Sequence, residues 1–433
     1  MARTKADLNS GTRLADFLAA SLLARVFPPE RVHEALNAHD ANSRRIRRFP
    51  AVAGVYYVAA LSLYPECSTE AVFSAVAEGL AWAAHSSAPS PVAKSSISEL
   101  RSRIGAQPLR DLMRSCCLPL ADEHAQPEAF YRGLRVVAID GSRIELADEV
   151  ELAQEFGRPG SRTGEAGYPQ AQCVALAECA SHAILAAEIG PYHGDEWALS
   201  QYLLGALEPG MLCLADRGYN GTEHWQQALS SGAHVLWRAS DSRHLPVLHM
   251  LDDGSYLSEI EPSAPVQRRR TRNEPGAVFT KSVVRVIEYR LDGMPNAQPR
   301  YRLITSLLDP ADAPALELAA LYHRRWQIES VFDELKTHLR MSRRTLRSKT
   351  AELVRQEFYG WVLAHYAVRW LLHQGAARSG QPAQDLSFTA HIHLFKREQP
   401  RSGAFPPRAT APAAPVVGRG SGRQRQAQVR AHP

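Results

Sequence analysis

The stretch LRVVAID at residues 134–140 is a short, β-branched run that ends in an acid, and MLCLAD at residues 211–216 repeats that arrangement. Short apolar runs of this kind predict buried strands. The carboxylates of Asp140 and Asp216 would then lie at the carboxyl end of a sheet, where α/β proteins bind ligands. Because Asp is also a common turn former, each acid taken alone fits a purely local role equally well.

A third acid lies on a predicted helix, LYHRRWQIESVFDELKTHLR, at residues 321–340. Tyr322, Arg325, Glu329 and Lys336 follow one another at spacings of three, four and seven residues. At about 100° per residue, all four fall in a strip about 60° wide beside an apolar face. A carboxylate flanked by Tyr, Arg and Lys suits a metal-binding acid next to a phosphate backbone. The alternatives are a solvated face for Arg325 and Lys336 and core-edge packing for Tyr322.

The surrounding elements follow from the same patterns. We expect that helix to run unbroken from about Ala315 to His338, with Gln327 and Glu334 on its wet face. A further helix is predicted from Glu352 to Gln374 and packs rather than spans a membrane. Shorter elements are predicted as a hairpin of two strands, a third strand and two helices; they are QCVALAE (172–178), AILAAEIG (183–190), HVLWRAS (234–240), Asp195–Leu207 and Glu223–Leu229.

Composition bounds the class of protein. The chain has 433 residues, 45% of them hydrophobic and 22% charged, which is typical of a globular protein with two or three domains. A net charge of +5 favours a polyanionic partner only weakly. The six cysteines show no CxxC spacing, which argues against a zinc site or a disulfide framework. The longest apolar run, residues 51–63, is too short to cross a bilayer.

The three acid-bearing segments resemble a known family. Asp140-Gly141-Ser142, Asp216-Arg217-Gly218-Tyr219 and the Y-x2-R-x3-E-x6-K set on the helix look like the motifs of DDE transposases from bacterial insertion sequences. The resemblance covers roughly residues 12–375. The helix motif is specific, whereas each Asp motif is weak without the others, although their order and spacing agree.

The resemblance implies a fold. It is an α/β, ribonuclease-H-like catalytic domain with a β-rich insertion, preceded by an all-α N-terminal domain. The strand patterns between residues 241 and 300 agree with such an insertion. We therefore predict a helical DNA-binding domain at 1–128 and the catalytic domain at 129–375, with the insertion at about 241–300. Residues 376–433, rich in Pro, Gly, Ala and Arg, are predicted to be a disordered basic tail.

The resemblance also implies an activity. The protein would be a cut-and-paste DNA transposase that binds terminal inverted repeats, cleaves DNA and joins the 3′-hydroxyl ends to target DNA. Asp140, Asp216 and Glu329 would be the catalytic acids and would bind two Mg²⁺ ions, for which Mn²⁺ can substitute. The expected partners are double-stranded DNA, at the transposon ends and the target, and a second copy of the chain. No membrane is expected, and the expected location is the bacterial cytoplasm, at the nucleoid.

Several residues are candidates for DNA contact. By position in the family, Tyr322, Arg325 and Lys336 would lie near the transposon end. Trp237 could stack on a flipped base, although a buried role in its strand is the competing interpretation. The remaining candidates are basic side chains, one after the second acid and four in an N-terminal cluster: Arg217, Arg44, Arg45, Arg47 and Arg48.

Two rival hypotheses stay open on the sequence alone. A catalytically inactive, transposon-derived protein could bind the same ends and act only as a repressor. A ribonuclease-H-like repair nuclease would account for the acids, but for neither the insertion nor the Tyr-Arg-Lys strip. Only the enzymes among these predict Mg²⁺-dependent DNA cleavage, since salt-sensitive DNA binding is common to all of them.

Overall fold

The fold is known from a computed structural model of the whole chain. The predicted cluster Arg44, Arg45, Arg47 and Arg48 lies outside the residues that it describes. Those residues are 22–43, 50–74, 76, 93–161, 164–165, 167–194, 196–219, 221–262, 267–268, 271–272, 281–291, 300–339, 345–379, 381, 383, 386–393 and 429–430.

The N-terminal part is helical, as predicted. It contains α1 (Pro29–Asn37), α2 (Ala51–Leu63), α3 (Lys94–Ile104) and α4 (Gln107–Cys116). Every residue of α2 is buried, because this apolar helix is covered by other helices on all sides.

A central sheet follows the helices. Its strands are β1 (Leu134–Glu145), β2 (Gln170–Glu178), β3 (Ile184–Pro191), β4 (Met211–Ala215) and β5 (His234–Arg238), in the spatial order β3-β2-β1-β4-β5. Strands β1, β4 and β5 are parallel to one another, β2 is antiparallel to β1, and β3 is antiparallel to β2. This is the strand arrangement of the ribonuclease-H fold, so the predicted fold class is confirmed.

Short helices and strands connect the sheet strands. The helices are α5 (Val150–Phe156), α6 (Glu196–Leu204) and α7 (Thr222–Ser230), and the last two match the predicted positions to within a few residues. Residues Arg217–Tyr219 form a 3₁₀ turn directly after Asp216. Minor strands lie at Phe130–Tyr131, Gly160–Ser161, Gly164–Glu165 and Val429–Arg430.

The β-rich insertion is also confirmed, and it extends the same sheet. Its strands are β6 (His249–Met250), β7 (Tyr256–Ile260), β8 (Ser282–Leu291) and β9 (Tyr301–Thr305). Strand β9 pairs antiparallel with β5, and the order continues β9-β8-β7-β6. The last strand of the insertion, β9, lies just beyond residue 300. The chain must return to its pairing partner β5 before it leaves the sheet.

The segment that carries Glu329 is helical from Ala315 to Leu339, close to the predicted bounds of Ala315 and His338, but it is not one uniform α-helix. The chain forms α8 (Ala315–Tyr322), a 3₁₀ turn (His323–Trp326), α9 (Gln327–Asp333) and a π-helical turn (Glu334–Leu339). Each change of helix type changes the rotation per residue. Residues on either side of such a change therefore leave the faces that a uniform helix predicts.

The long helix α10 (Ala351–Ser379) confirms the predicted packing helix and joins the two halves of the molecule. It packs against α2, and a Cβ added to Gly360 would lie 2.6 Å from a methyl group of Val58, so only glycine permits this close approach. The helix continues past residue 376, where the tail was predicted to begin, and Phe388 is buried in the core. Within the described part of the chain, no helix is long and apolar enough to span a membrane.

Candidate active site

Strand register places the two aspartates side by side. Ile139 of β1 pairs with Ala215 of β4, and Ala215 pairs with Trp237 of β5. The next residue on each strand is therefore in one row across the sheet: Asp140, Asp216 and Arg238. The prediction that Asp140 ends its strand is wrong, because β1 continues to Glu145 in its pairing with β2. Asp140 nevertheless lies beyond the end of β4, at the edge of the parallel part of the sheet.

Arg325 joins this edge to the third acid. Its Nη1 donates a hydrogen bond of 2.9 Å to Asp140 Oδ2, and its Nη2 lies 3.6 Å from Glu329 Oε1. The Arg325 side chain is buried, whereas about half of the Glu329 side chain, 48%, is exposed. The guanidinium thus lies between two of the three predicted acids, and Glu329 keeps an accessible carboxylate.

The electrostatics place all three acids in one site. Burial raises the pKa of Asp140, the positive charge of Arg325 opposes that rise, and the charge of Asp216 adds to it. The pKa of Glu329 is also raised, first by burial and then by Asp140 and Asp216, again against Arg325. Asp140 and Glu329 are therefore harder to ionise because of burial and of the neighbouring aspartates, and a cation at this edge would be favoured.

The donor set fits a hard divalent cation, although the side chains are not gathered around one. Among the described residues, no three His, Cys, Asp or Glu side chains converge closely enough to hold a metal ion. However, Asp216 Oδ1 is buried with no hydrogen-bond partner in that part of the chain, and the nearest cation, Arg238 Nη1, is 3.8 Å away. Carboxylate oxygens are the ligands that Mg²⁺ prefers. At present Arg325 and Arg238 supply the positive charge that these oxygens require.

Two residues of the predicted strip contact the sheet rather than solvent. The Tyr322 hydroxyl donates to Ala215 O at 3.3 Å, only 5% of the residue is exposed, and burial raises the pKa of its phenol. Tyr322 thus packs at the edge of the core, as its alternative interpretation predicted, and its DNA contact stays a prediction. Half-buried Lys336 donates to the hydroxyl of Ser142. Both side chains fix the helical segment to strands that carry the aspartates.

Trp237 is fully buried and cannot receive a flipped base in this arrangement. Its ring packs edge-on against Trp225, with centroids 5.6 Å apart. This is the competing buried role, in which Trp237 faces the layer of α7 behind the sheet, and its DNA contact stays a prediction. The alternation of side chains along a strand instead directs its neighbour, Arg238, to the side of Asp216 and over the ring of Tyr301.

Sequence reasoning missed Arg238 and Trp326. Arg238 was inside a predicted strand, and its row with Asp216 could have been read from the pairing of MLCLAD with HVLWRAS. Trp326 is 56% exposed, and Arg325 lies over its ring at 5.4 Å. No pattern marks an exposed Trp on a helix as part of a site. Arg217 is exposed beside Asp216, as a DNA contact requires.

The sheet order and the acidic edge define the class as ribonuclease-H-like enzymes. Residues 131–366 match the family described as Transposase DDE domain, and residues 18–114 match the family described as Insertion element 4 transposase N-terminal. The chain belongs to the DDE transposases, in the branch of insertion-sequence enzymes of the IS4 type.

Two bacterial transposases agree with this assignment. The transposase InsG for insertion sequence element IS4, from Escherichia coli K12, is 28% identical over 309 residues, or 71% of this chain and 67% of that protein. The putative transposase InsZ from the same bacterium is 29% identical over 127 residues, or 29% of this chain and 42% of that protein. A cryo-EM structure of the piggyBac transposase synaptic complex with hairpin DNA aligns with a TM-score of 0.44 and 9% identity, over 89% of this chain and 80% of that one.

Proposed function

We propose that the protein is a cut-and-paste transposase that binds terminal inverted repeats, cleaves the DNA beside them and joins the freed 3′-hydroxyl ends to target DNA. The observation that carries this proposal is the acidic edge, where burial and the neighbouring aspartates raise the pKa of Asp140 and of Glu329 beside the buried Arg325. Carboxylates that repel one another destabilise the folded protein unless a cation neutralises them. That cation can in turn bind a polyanion.

Asp140, Asp216 and Glu329 would hold the divalent metal ions that DDE transposases generally use, here two Mg²⁺ with Mn²⁺ as a substitute. Bound Mg²⁺ would lower the pKa of an attacking water and stabilise the leaving oxygen. Asp216 Oδ1, which accepts no hydrogen bond within the described part of the chain, and the accessible carboxylate of Glu329 are the oxygens best prepared for this role. Asp140 would exchange its bond to Arg325 for the metal.

Cations around the edge would hold the phosphate backbone. Lys336 and Arg217 lie beside Ser142 and Asp216, and Arg325 would turn from Asp140 to phosphate once metal neutralises the acids. Tyr322 and Trp237 have no place in this proposal because both are buried. Recognition of the transposon end would fall to the helical N-terminal region, where Arg44, Arg45, Arg47 and Arg48 supply positive charge. A second copy would bind the second end.

A cleavage assay tests the proposal. The substrate is linear DNA that carries the sequences flanking the gene, incubated with the full chain in Mg²⁺, in Mn²⁺ and in EDTA. We expect metal-dependent nicking at the element boundary by the native protein and none by Asp140→Ala, with end binding retained in a gel shift. Glu155→Ala, which removes only a surface ion pair with Arg355, is the matched control.

The outcomes separate the rival functions. End binding without cleavage by the native protein in either metal would replace the enzyme with a repressor. Cleavage by Asp140→Ala at the native rate would remove Asp140 from the set of metal ligands. Cleavage with no preference for the flanking sequences would favour a general nuclease.

A further inference from the structure

A buried ionic cluster lies behind the segment that carries Glu329. The carboxylate of Glu334, in the π-helical turn, is buried, although its position in the sequence predicted a solvent-facing side chain. It accepts hydrogen bonds from His365 Nε2 at 3.0 Å and from Arg369 Nε at 2.8 Å, with a further bond from Arg369 Nη2. His182 Nδ1 lies 2.9 Å from Glu334 Oε1 and accepts a hydrogen bond of 2.7 Å from Arg369 Nη2. Both carboxylate oxygens are thereby occupied by partners from two other elements.

The same cluster holds the other end of α9. The second ring nitrogen of His182 lies 2.8 Å from Oε1 of Gln327, the first residue of that helix. Gln327 and Glu334 contact the same imidazole, so they face the same side of the segment. Glu329 is two residues after Gln327 within α9, about 160° around the helix from it, and therefore faces the other side. His182 therefore fixes both ends of the short helix from behind.

The backbone conformation at His182 indicates that this position specifically requires the imidazole side chain. His182 is in the hairpin between β2 and β3 and has φ of +60°, in the left-handed region that favours Gly or Asn. Such strain persists where the surroundings determine the conformation. Here the strained turn is what places the imidazole between Gln327 and Glu334.

A buried ionic cluster contributes more to orientation than to stability. The loss of hydration of a buried carboxylate offsets most of the gain from its partners, so an apolar cluster would stabilise the helix equally well. Hydrogen bonds differ from apolar contacts because they are directional. Bidentate Arg369 and the two histidines fix the rotation of the helix about its axis.

We infer that Glu334 and His182 are positioning residues for Glu329 and Lys336. Their bonds set the rotation of α9 so that the Glu329 carboxylate faces the row of Asp140 and Asp216, and the π turn brings Lys336 to Ser142. The inference rests on the proposed function for its catalytic consequence, but the anchoring of α9 is independent of it.

The test uses two variants and a matched control in the full chain. Glu334→Gln keeps the shape of the side chain and removes its charge, and His182→Asn tolerates the left-handed turn but is too short to reach Gln327. Glu317→Gln is the control, since Glu317 is on the preceding helix α8 and pairs at the surface with Arg132. Amide hydrogen exchange of the DNA-free protein and cleavage of the DNA fragment that carries the gene-flanking sequences are measured for each.

Faster exchange confined to residues 327–339 is expected in both variants, with the strands of the sheet unchanged. Cleavage at saturating DNA should fall about 10- to 100-fold, as misplacement of a reacting group does. The DNA concentration for half-maximal cleavage should change less than about twofold, because Arg217 and the basic side chains of the N-terminal region, which the cluster does not position, still hold the DNA. The control should match the native protein in all three measurements.

Two results would overturn the inference. One is native exchange in residues 327–339 with native cleavage, and the other is faster exchange throughout the sheet, which would make the cluster a general stabilising element. If native protein fails to cleave while the exchange of residues 327–339 increases as expected, the proposed function fails and the anchoring of α9 stands.

Discussion

Arg325 donates a hydrogen bond of 2.9 Å to Asp140 from a buried position, and the same guanidinium lies 3.6 Å from Glu329. One cation thus opposes the rise in pKa that burial and neighbouring carboxylates cause at both Asp140 and Glu329. In the chain without ligands, Arg325 supplies the charge that holds the acidic edge together.

Substitution of Arg325 by Ala should therefore destabilise the protein. The loss should be about 2 kcal/mol, below the roughly 3–5 kcal/mol of a fully buried pair, because Asp140 is partly hydrated. Urea unfolding at neutral pH measures it, with Arg132→Ala as the control that breaks an exposed pair. Arg325→Lys should recover part of the loss only, since an ammonium cannot reach both acids in the same geometry. Equal stability of Arg325→Ala and native protein would mean that the pair contributes nothing.

The buried imidazole of His365 predicts a loss of stability in acid. Burial lowers the pKa of His365 to about 3, and its Nδ1 has no hydrogen-bond partner among the described residues. Below its ordinary pKa of about 6.5, the unfolded chain binds a proton that the folded chain does not. Stability therefore falls as pH decreases from about 6.5 towards 3, and rises in the reverse direction.

The size of this loss of stability follows from the protonation of His365 in the unfolded chain. Between pH 7 and pH 5, His365 should cost the folded protein about 2 kcal/mol. Urea unfolding measures the free energy of unfolding at both pH values. Between pH 7 and pH 5 the native protein should lose about 2 kcal/mol more of it than His365→Phe loses. Other titrating groups are common to both proteins and cancel in the comparison. The same pH dependence in both proteins would contradict a neutral, buried His365.

The sequence predicted the strands and the row of acids because their signals are local. Runs such as LRVVAID and MLCLAD have the composition of buried strands, and Asp140 and Asp216 follow from where those runs end. Glu329 was identified from its spacing to Arg325 and from the family motif. These features need no knowledge of distant residues.

What the sequence did not predict depends on distant partners. Glu334 is buried because of His182, His365 and Arg369, which lie 152, 31 and 35 residues away. The π turn that carries it has no sequence pattern of its own. Tyr322 and Trp237 were assigned to DNA from their position in the family, whereas packing against the sheet decides their burial. Arg238 became part of the site only through strand register.

The two tryptophans should respond in opposite ways to truncation. Trp237→Ala removes a fully buried ring that packs on Trp225 and should destabilise the protein by about 3–5 kcal/mol. Trp326→Ala removes an exposed ring beside Arg325 and should change stability by less than about 1 kcal/mol. Thermal and urea unfolding of the two variants measure the difference. A mild effect of Trp237→Ala would indicate that the ring leaves the core and is available to DNA.

Arg217 should contribute to DNA binding through charge alone. It is exposed directly after Asp216, in the 3₁₀ turn at the acidic edge, where a bound backbone would pass. Arg217→Ala should weaken binding to the gene-flanking DNA and to unrelated DNA by the same factor, because a phosphate contact carries no sequence information. The slope of log affinity against log salt should decrease by about one.

Fluorescence anisotropy over a series of salt concentrations measures both quantities. Arg132→Ala provides the matched loss of one charge, because this side chain lies at the opposite end of β1 and pairs with Glu317. An unchanged slope for Arg217→Ala, or an equal decrease for Arg132→Ala, would show that DNA does not pass over this turn.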